Sequence, residues 1–303
     1  MSARVTRRAV TLGTIAAGGV ALYVGGRRLA ELEGWIEAPE NGAPAPRAAM
    51  PLPPSLVTLS TGGILVHSAV AGPAESFAAA HLIELEDRFV LIDAGANRAV
   101  AQELRLHIAE SGKRIERAIL TGAAPGRVAA AAVFPEVTFE TLPTIAADLE
   151  RGAAAGGPPV PERLRRDLAL GLQVVGSTRM QVMNFPFSAG PDALPVLFPD
   201  AGVAALGDLM VHGTHAPPGE NRGRWIEALG GLAAEPGITA LLPGYGPPAG
   251  RREFGRMRAY LERLDATLTA GPSHELAVAA MRLAYPRRKA PELLAGANAG
   301  APL

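Results

Sequence analysis

The chain has no cysteine. That excludes a disulfide framework, a thiolate nucleophile and a cysteine zinc site, and leaves the compartment open. An excess of charge is also missing: 29 basic side chains balance 29 acidic ones, so the composition argues against electrostatic binding to nucleic acid. The Gly-x-Ser-x-Gly turn that carries a serine nucleophile does not occur, and Ser60 and Ser188 have no recognisable base partner. Gly62-Gly63 and Gly156-Gly157 lack the context of a phosphate-binding loop, and no internal repeat of fixed period is visible. What the chain does have is apolar residues, 48% of 303, enough for a substantial core. Its 35 glycines and 27 prolines follow no period and are interrupted by helix-like and strand-like runs.

Composition along the chain predicts four parts. Residues 1–26 place Arg4, Arg7 and Arg8 before an uncharged stretch at 9–26, the layout of a basic region leading into an apolar segment. Thr6-Arg7-Arg8-Ala9-Val10 resembles a bacterial twin-arginine export signal. The expected location is the periplasm or the outer face of the inner membrane, with 9–26 either cleaved or kept as a membrane tether. Residues 27–54, rich in Pro and Ala, read as an extended linker. Residues 55–286 read as the folded domain and 287–303 as a tail that opens on Arg287-Arg288-Lys289.

Within the domain, residues 56–70 read as a hairpin pair about Gly62-Gly63, and 77–95 give two further strands ending at Asp93. A helix is predicted over 97–111 with Gly112 as its C′ residue, then a strand at 118–121, making a β-helix-β unit. A short helix at 127–133 and a strand at 137–139 follow, with a loose helical stretch over 140–171. Further strands are predicted at 172–175, 180–185, 194–198, 203–206 and 238–242, and helices at 225–232, 251–268 and 274–283. The fold class is α/β.

Chemistry in an α/β sheet gathers outside the carboxyl ends of strands, which points to the stretch IERAILTGAAPGR at 115–127. Three other stretches flank it in a meaningful order. HLIELEDRFVLIDAGA ends paired strands in an Asp-x-Gly turn at Asp93 and Gly95, VLFPDAGVAALGDLM carries two strands into Asp208, and ALLPGYGPP forms a Pro-Gly-x-Gly loop at Tyr245. Across residues 56–285 the chain resembles the metallo-β-lactamase superfamily. That resemblance implies an αββα sandwich, two mixed sheets between helical layers, and it implies a zinc loop reading Thr-His-x-His-x-Asp-His. Here Gly122, Ala124 and Arg127 stand where the motif has histidines and Gly126 where it has aspartate. No histidine occurs near Ser188, where the family has one, and Tyr245 replaces the histidine of a Pro-Gly-His-Gly loop. Only Asp208 matches. Zinc needs about four N, O or S ligands at roughly 2.0–2.3 Å, so the expectation is no metal and no cofactor. The implied role is a non-catalytic binding or scaffold protein, whose partner, a protein or a small ligand, the sequence does not name.

Two arrangements of Asp208 follow. In the first, Arg127 pairs with Asp208 where a cation would sit and Tyr245 donates to the pair; the plainer alternative has Arg127 opening a helix towards solvent. In the second, Asp208 joins His212 and His215 in a metal or acid–base site, against the plainer reading of solvated loop histidines. Asp93 reads as a turn residue. His67 and His81 read as packing residues within strands, His107 and His274 as surface residues, and the basic runs at 163–166 and 287–289 as solvated faces, the second able to meet anionic lipid if the domain stays anchored.

Overall fold

The computed structural model describes residues 10–15 and 20–24 as backbone alone, and residues 55–185, 193–218, 221–270 and 273–294. The first sheet holds β1 (Val10–Ile15), β2 (Val20–Val24), β3 (Ser55–Thr61), β4 (Ile64–Val70), β5 (Ala79–Glu84), β6 (Arg88–Ile92), β7 (Arg114–Ile119), β8 (Phe139–Glu140) and β9 (Leu164–Arg165), in sequence order. It is antiparallel as far as β6 and parallel from β6 to β9. The second sheet holds β10 (Gly171–Val175), β11 (Thr178–Val182), β12 (Val196–Phe198), β13 (Val203–Val211), β14 (Ala240–Tyr245) and β15 (Ala249–Gly250), with β13 and β14 parallel. Helices α1 (Arg98–Ser111), α2 (Pro125–Ala131) and α3 (Pro143–Ala154) belong to the first half, and α4 (Arg222–Ala234), α5 (Glu253–Thr269) and α6 (His274–Ala284) to the second.

Alternation along the strands builds the layers. On β13, Val203 and Ala205 enter the core shared with Val66, Ile83 and Val90 of the first sheet. Ala204 and Leu206 point the other way, into a second core with Leu229 of α4 and Met257 and Leu261 of α5. Helix α1 starts where Asn97 caps the Val100 amide at 3.0 Å and stops at Gly112, whose φ of 70° suits a C′ glycine. The expected two-sheet sandwich between helical layers is what forms.

Several boundaries differ from the sequence reading. The stretch 140–171 is helical only to Ala154; the Gly156-Gly157-Pro158-Pro159 run stops α3 and the chain returns as β9. Strand β13 runs to Val211, because Gly207, at a φ of 51°, shifts its register against β14 without ending it. Asp208 is therefore a strand residue. Most of the predicted export segment, the linker, and the tail beyond 294 lie outside the described residues; the two described pieces of the segment are β1 and β2, paired in line onto β3. Among the described residues no helix is long and apolar enough to cross a membrane.

The parallel strands of both sheets bring their carboxyl ends together. A bridge between Ala78 and Tyr245 and a 2.9 Å hydrogen bond from His81 Nε2 to the Pro243 carbonyl join the sheets at this end. Asp93, Thr121 and Tyr245 sit here, at or just past the ends of β6, β7 and β14, and Asp208 lies among the last residues of β13, just after the register shift at Gly207.

Candidate functional site

Asp93 leaves β6 with a φ of 57°, a left-handed conformation that aspartate tolerates. Its Oδ1 accepts the Thr121 amide at 2.9 Å and its Oδ2 the Thr121 hydroxyl at 2.7 Å, so it ties the turn after β6 to the turn after β7. The chain then passes Gly122 and reaches Ala124, the N-cap of α2, whose carbonyl accepts the Arg127 amide at 2.9 Å. Pro125 fits the first helical turn, where no amide hydrogen is needed. Gly126 lets α2 lie against the preceding loop: a Cβ there would stand 2.3 Å from the Ala96 carbonyl oxygen.

This packing aims Arg127 inward. Its side chain is 1% exposed, and it grips Asp208 with both ends of the guanidinium, Nη1 to Oδ2 at 2.9 Å and Nη2 to Oδ1 at 2.5 Å. Nε makes no hydrogen bond and lies 3.5 Å from Asp93 Oδ2. Two glycines wall the guanidinium. A Cβ on Gly122 would fall 2.7 Å from Nη1 and 2.8 Å from Asp208 Oδ2, and one on Gly244 would fall 2.8 Å from Nη2. The Tyr245 ring lies nearby, its centroid 5.8 Å from Cζ. Asp208, at 26% side-chain exposure, is the open side of the arrangement.

The electrostatics follow from burial and this pairing. Burial alone would lower the Arg127 pKa, but Asp208 first and then Asp93 outweigh it and raise it. Burial raises Asp93, against the opposing pull of Arg127 and Thr121. Tyr245 is pushed up to about 12 by burial and by Asp208, so its phenol stays protonated. Burial lowers His81 to about 4. Because the Pro243 carbonyl can only accept, His81 carries its proton on Nε2, and Nδ1 accepts from Ser68 Oγ at 2.8 Å.

Of the residues singled out in the sequence, Arg127, Asp208, Gly122 and Gly126 come together, and Arg127 is not a solvent residue. Ala124 is half-buried at the start of α2, and Ser188 lies outside the described residues. Tyr245 faces the guanidinium with its ring, and no hydrogen bond links it to Asp208 among the described residues. His212 and His215 do not join Asp208. His212 Nδ1 bonds the Pro247 carbonyl oxygen at 2.9 Å, and His215, 1% exposed, places Nδ1 3.1 Å from the Tyr260 hydroxyl. Gly213, at a φ of 72°, turns the chain between the two histidines, so they do not present one face. Sequence reasoning missed Asp93 as a second acid beside Arg127 and Gly244 as a wall. A cleft of about 800 Å³ lies elsewhere, at the amino end of β7, lined by pairs such as Arg117 and Glu140.

No family model and no curated protein matches the chain. Solved structures do. A metallo-β-lactamase from Pontibacter korlensis superposes with a TM-score of 0.53 at 15% identity, over 71% of this chain and 97% of that one. The FIM-1 metallo-β-lactamase from Pseudomonas aeruginosa, in a mono-zinc form, gives 0.52 at 19% identity over 71% and 97%.

The fold is that of the metallo-β-lactamases.

A third such enzyme, from Hirschia baltica, gives 0.52 at 19% identity over 69% of this chain and 98% of its own. Likeness at these identities concerns the backbone, and the chemistry has to be argued from the side chains.

Two outcomes are expected. Replacing Arg127→Met leaves Asp208 and Asp93 without their cation and should lower the unfolding free energy by about 3–5 kcal/mol in urea titrations, while Gly122→Ala, which crowds the same pair, should lower it by about 1–3 kcal/mol. A change under about 0.5 kcal/mol for Arg127→Met would mean that the pair does not hold the pocket. The second concerns pH. The folded His81 pKa of about 4 lies below the ordinary 6.5, so the unfolded chain takes up that proton first. The contribution is fully present above about 6.5 and is lost as pH falls towards 4, by about 3 kcal/mol. His81→Asn should flatten that part of the stability–pH curve; an unchanged slope would remove His81 as its source.

Proposed function

We propose that this protein uses a metallo-β-lactamase fold without its metal chemistry, as a non-catalytic binding or scaffold subunit whose partner is a protein or a small ligand. The observation that carries this reading is the pair of hydrogen bonds that Arg127 donates to Asp208 inside a glycine cradle. A metal at Asp208 would have to share a carboxylate whose two oxygens already accept from a guanidinium, and that cation repels a dication. Gly122, Ala124 and Gly126 bring no side-chain donor, Asp93 is committed to Thr121, and His81 Nε2 to Pro243. With four N, O or S ligands as the usual requirement, these residues do not fit zinc. The basic-then-apolar order of residues 1–26 supports an exported protein, in the periplasm or at the outer face of the inner membrane, tethered through 9–26 if that segment is retained.

The competing reading is a hydrolase with an altered site that uses Asp208 with His212 or His215 as acid and base. The full chain, assayed with added zinc on ester, thioester and lactam substrates, should show no turnover above an Asp208→Ala control. Turnover abolished by Asp208→Ala and weakened by His212→Ala would overturn the proposal in favour of the hydrolase.

A further inference from the structure

Away from this pocket, the outer face of the first sheet carries a second polar cluster. Strand β4 alternates, so Ser68 turns inward with His81 while His67 points the opposite way, under α1. Glu84, on the same face, is brought beside it by the β4–β5 register, in which Leu65 pairs with Glu84 and His67 with Leu82. His107 descends from α1. Among the described residues these three form the one group of potential metal ligands whose donor atoms all lie within 4.8 Å of one another.

We infer that His67, Glu84 and His107 form a binding site for a divalent transition metal, independent of the Arg127–Asp208 pocket. The donor set is two imidazoles and a carboxylate, which suits zinc and its neighbours better than magnesium or calcium. The site is also pre-organised. His67 is 3% exposed, and the Thr58 hydroxyl holds its Nδ1 at 2.9 Å, which aims Nε2 at Glu84 Oε2, 2.6 Å away. An outer hydrogen bond of this kind orients a metal-ligating histidine. The His67 and His107 rings lie 4.1 Å apart between centroids but are tilted by 48°, so they are not stacked face to face. Loading takes Nε2 and Oε2 out of their mutual hydrogen bond and requires the tautomer in which the neutral His67 ring keeps its proton on Nδ1 and donates it to the Thr58 hydroxyl. Lys113 bonds the other oxygen of Glu84 at 2.8 Å and the Leu85 carbonyl at 2.8 Å. It leaves Oε2 to the metal, and its charge weakens the site without blocking it.

Zinc is the probe. In calorimetric titration of the full chain, one saturable equivalent should bind, and cobalt should give the visible spectrum of a nitrogen- and oxygen-ligated ion. His107→Ala, which removes a half-buried ring from a helix face, and Glu84→Gln should each weaken binding by about 100-fold with the circular dichroism spectrum kept. Lys113→Met should tighten it, an effect that a purely structural histidine pair would not produce. Absence of saturable binding would overturn the inference, as would binding untouched by both ligand variants. Binding lost on Asp208→Ala instead would overturn it and the proposed function together, whereas binding lost only in the His107 and Glu84 variants leaves the proposed function standing.

Discussion

A cation delivered into a protein interior must be neutralised, and helix α2 delivers one here, the Arg127 guanidinium at 1% side-chain exposure. Strand β13 ends beside β14 at the junction of two sheets, and Asp208 is fixed on it by the backbone. Leaving the buried guanidinium unpaired would cost several kcal/mol. Asp208 meets the requirement by accepting two parallel hydrogen bonds from it, the geometry in which arginine binds carboxylate most strongly.

The rest of the pocket is shaped by that solution. A guanidinium is broad and flat, and it occupies its place only because Gly122 and Gly244 offer no side chain on either edge. Gly126 lets α2 approach closely enough for Arg127 to reach inward. The glycines at 122 and 126 thus have a packing role of their own. With Arg127 in place, a larger residue at 122 collides with the pair itself. Asp93 holds the turns together and contributes a second negative charge at 3.5 Å from Nε. Gly122, Gly126, Gly244, Asp93 and Asp208 form one interlocking set around an internal cation.

Much of this was legible in the sequence, for physical reasons. The Asp-x-Gly turn and the Pro-Gly-Tyr run fix where parallel strands stop, the Gly-Asp pair marks a register shift near the end of a third, and strand ends are where such a fold assembles a site. An arginine in a slot expected to hold a metal ligand, with one aspartate left, pointed to a charge exchange. What periodicity could not reveal was contact made through register. Gly244 walls the guanidinium across 117 residues of chain, and nothing local distinguishes it from a turn glycine. His67 is visibly in a strand and His107 visibly on a helix, yet their meeting depends on which face each presents and on the β4–β5 pairing. His107 therefore read as a surface residue although it is half-buried against His67. The stretch 140–171 misled because its alanines carry helix propensity that the glycine-proline run overrides.

The central claim, that an arginine holds the position a metal would need, is tested most directly by a crystal structure of zinc-soaked protein with anomalous data at the zinc edge. The account predicts both Arg127 Nη atoms on Asp208 and no anomalous peak bonded to that carboxylate. Zinc coordinated by Asp208, with the guanidinium swung out of its glycine cradle, would contradict it.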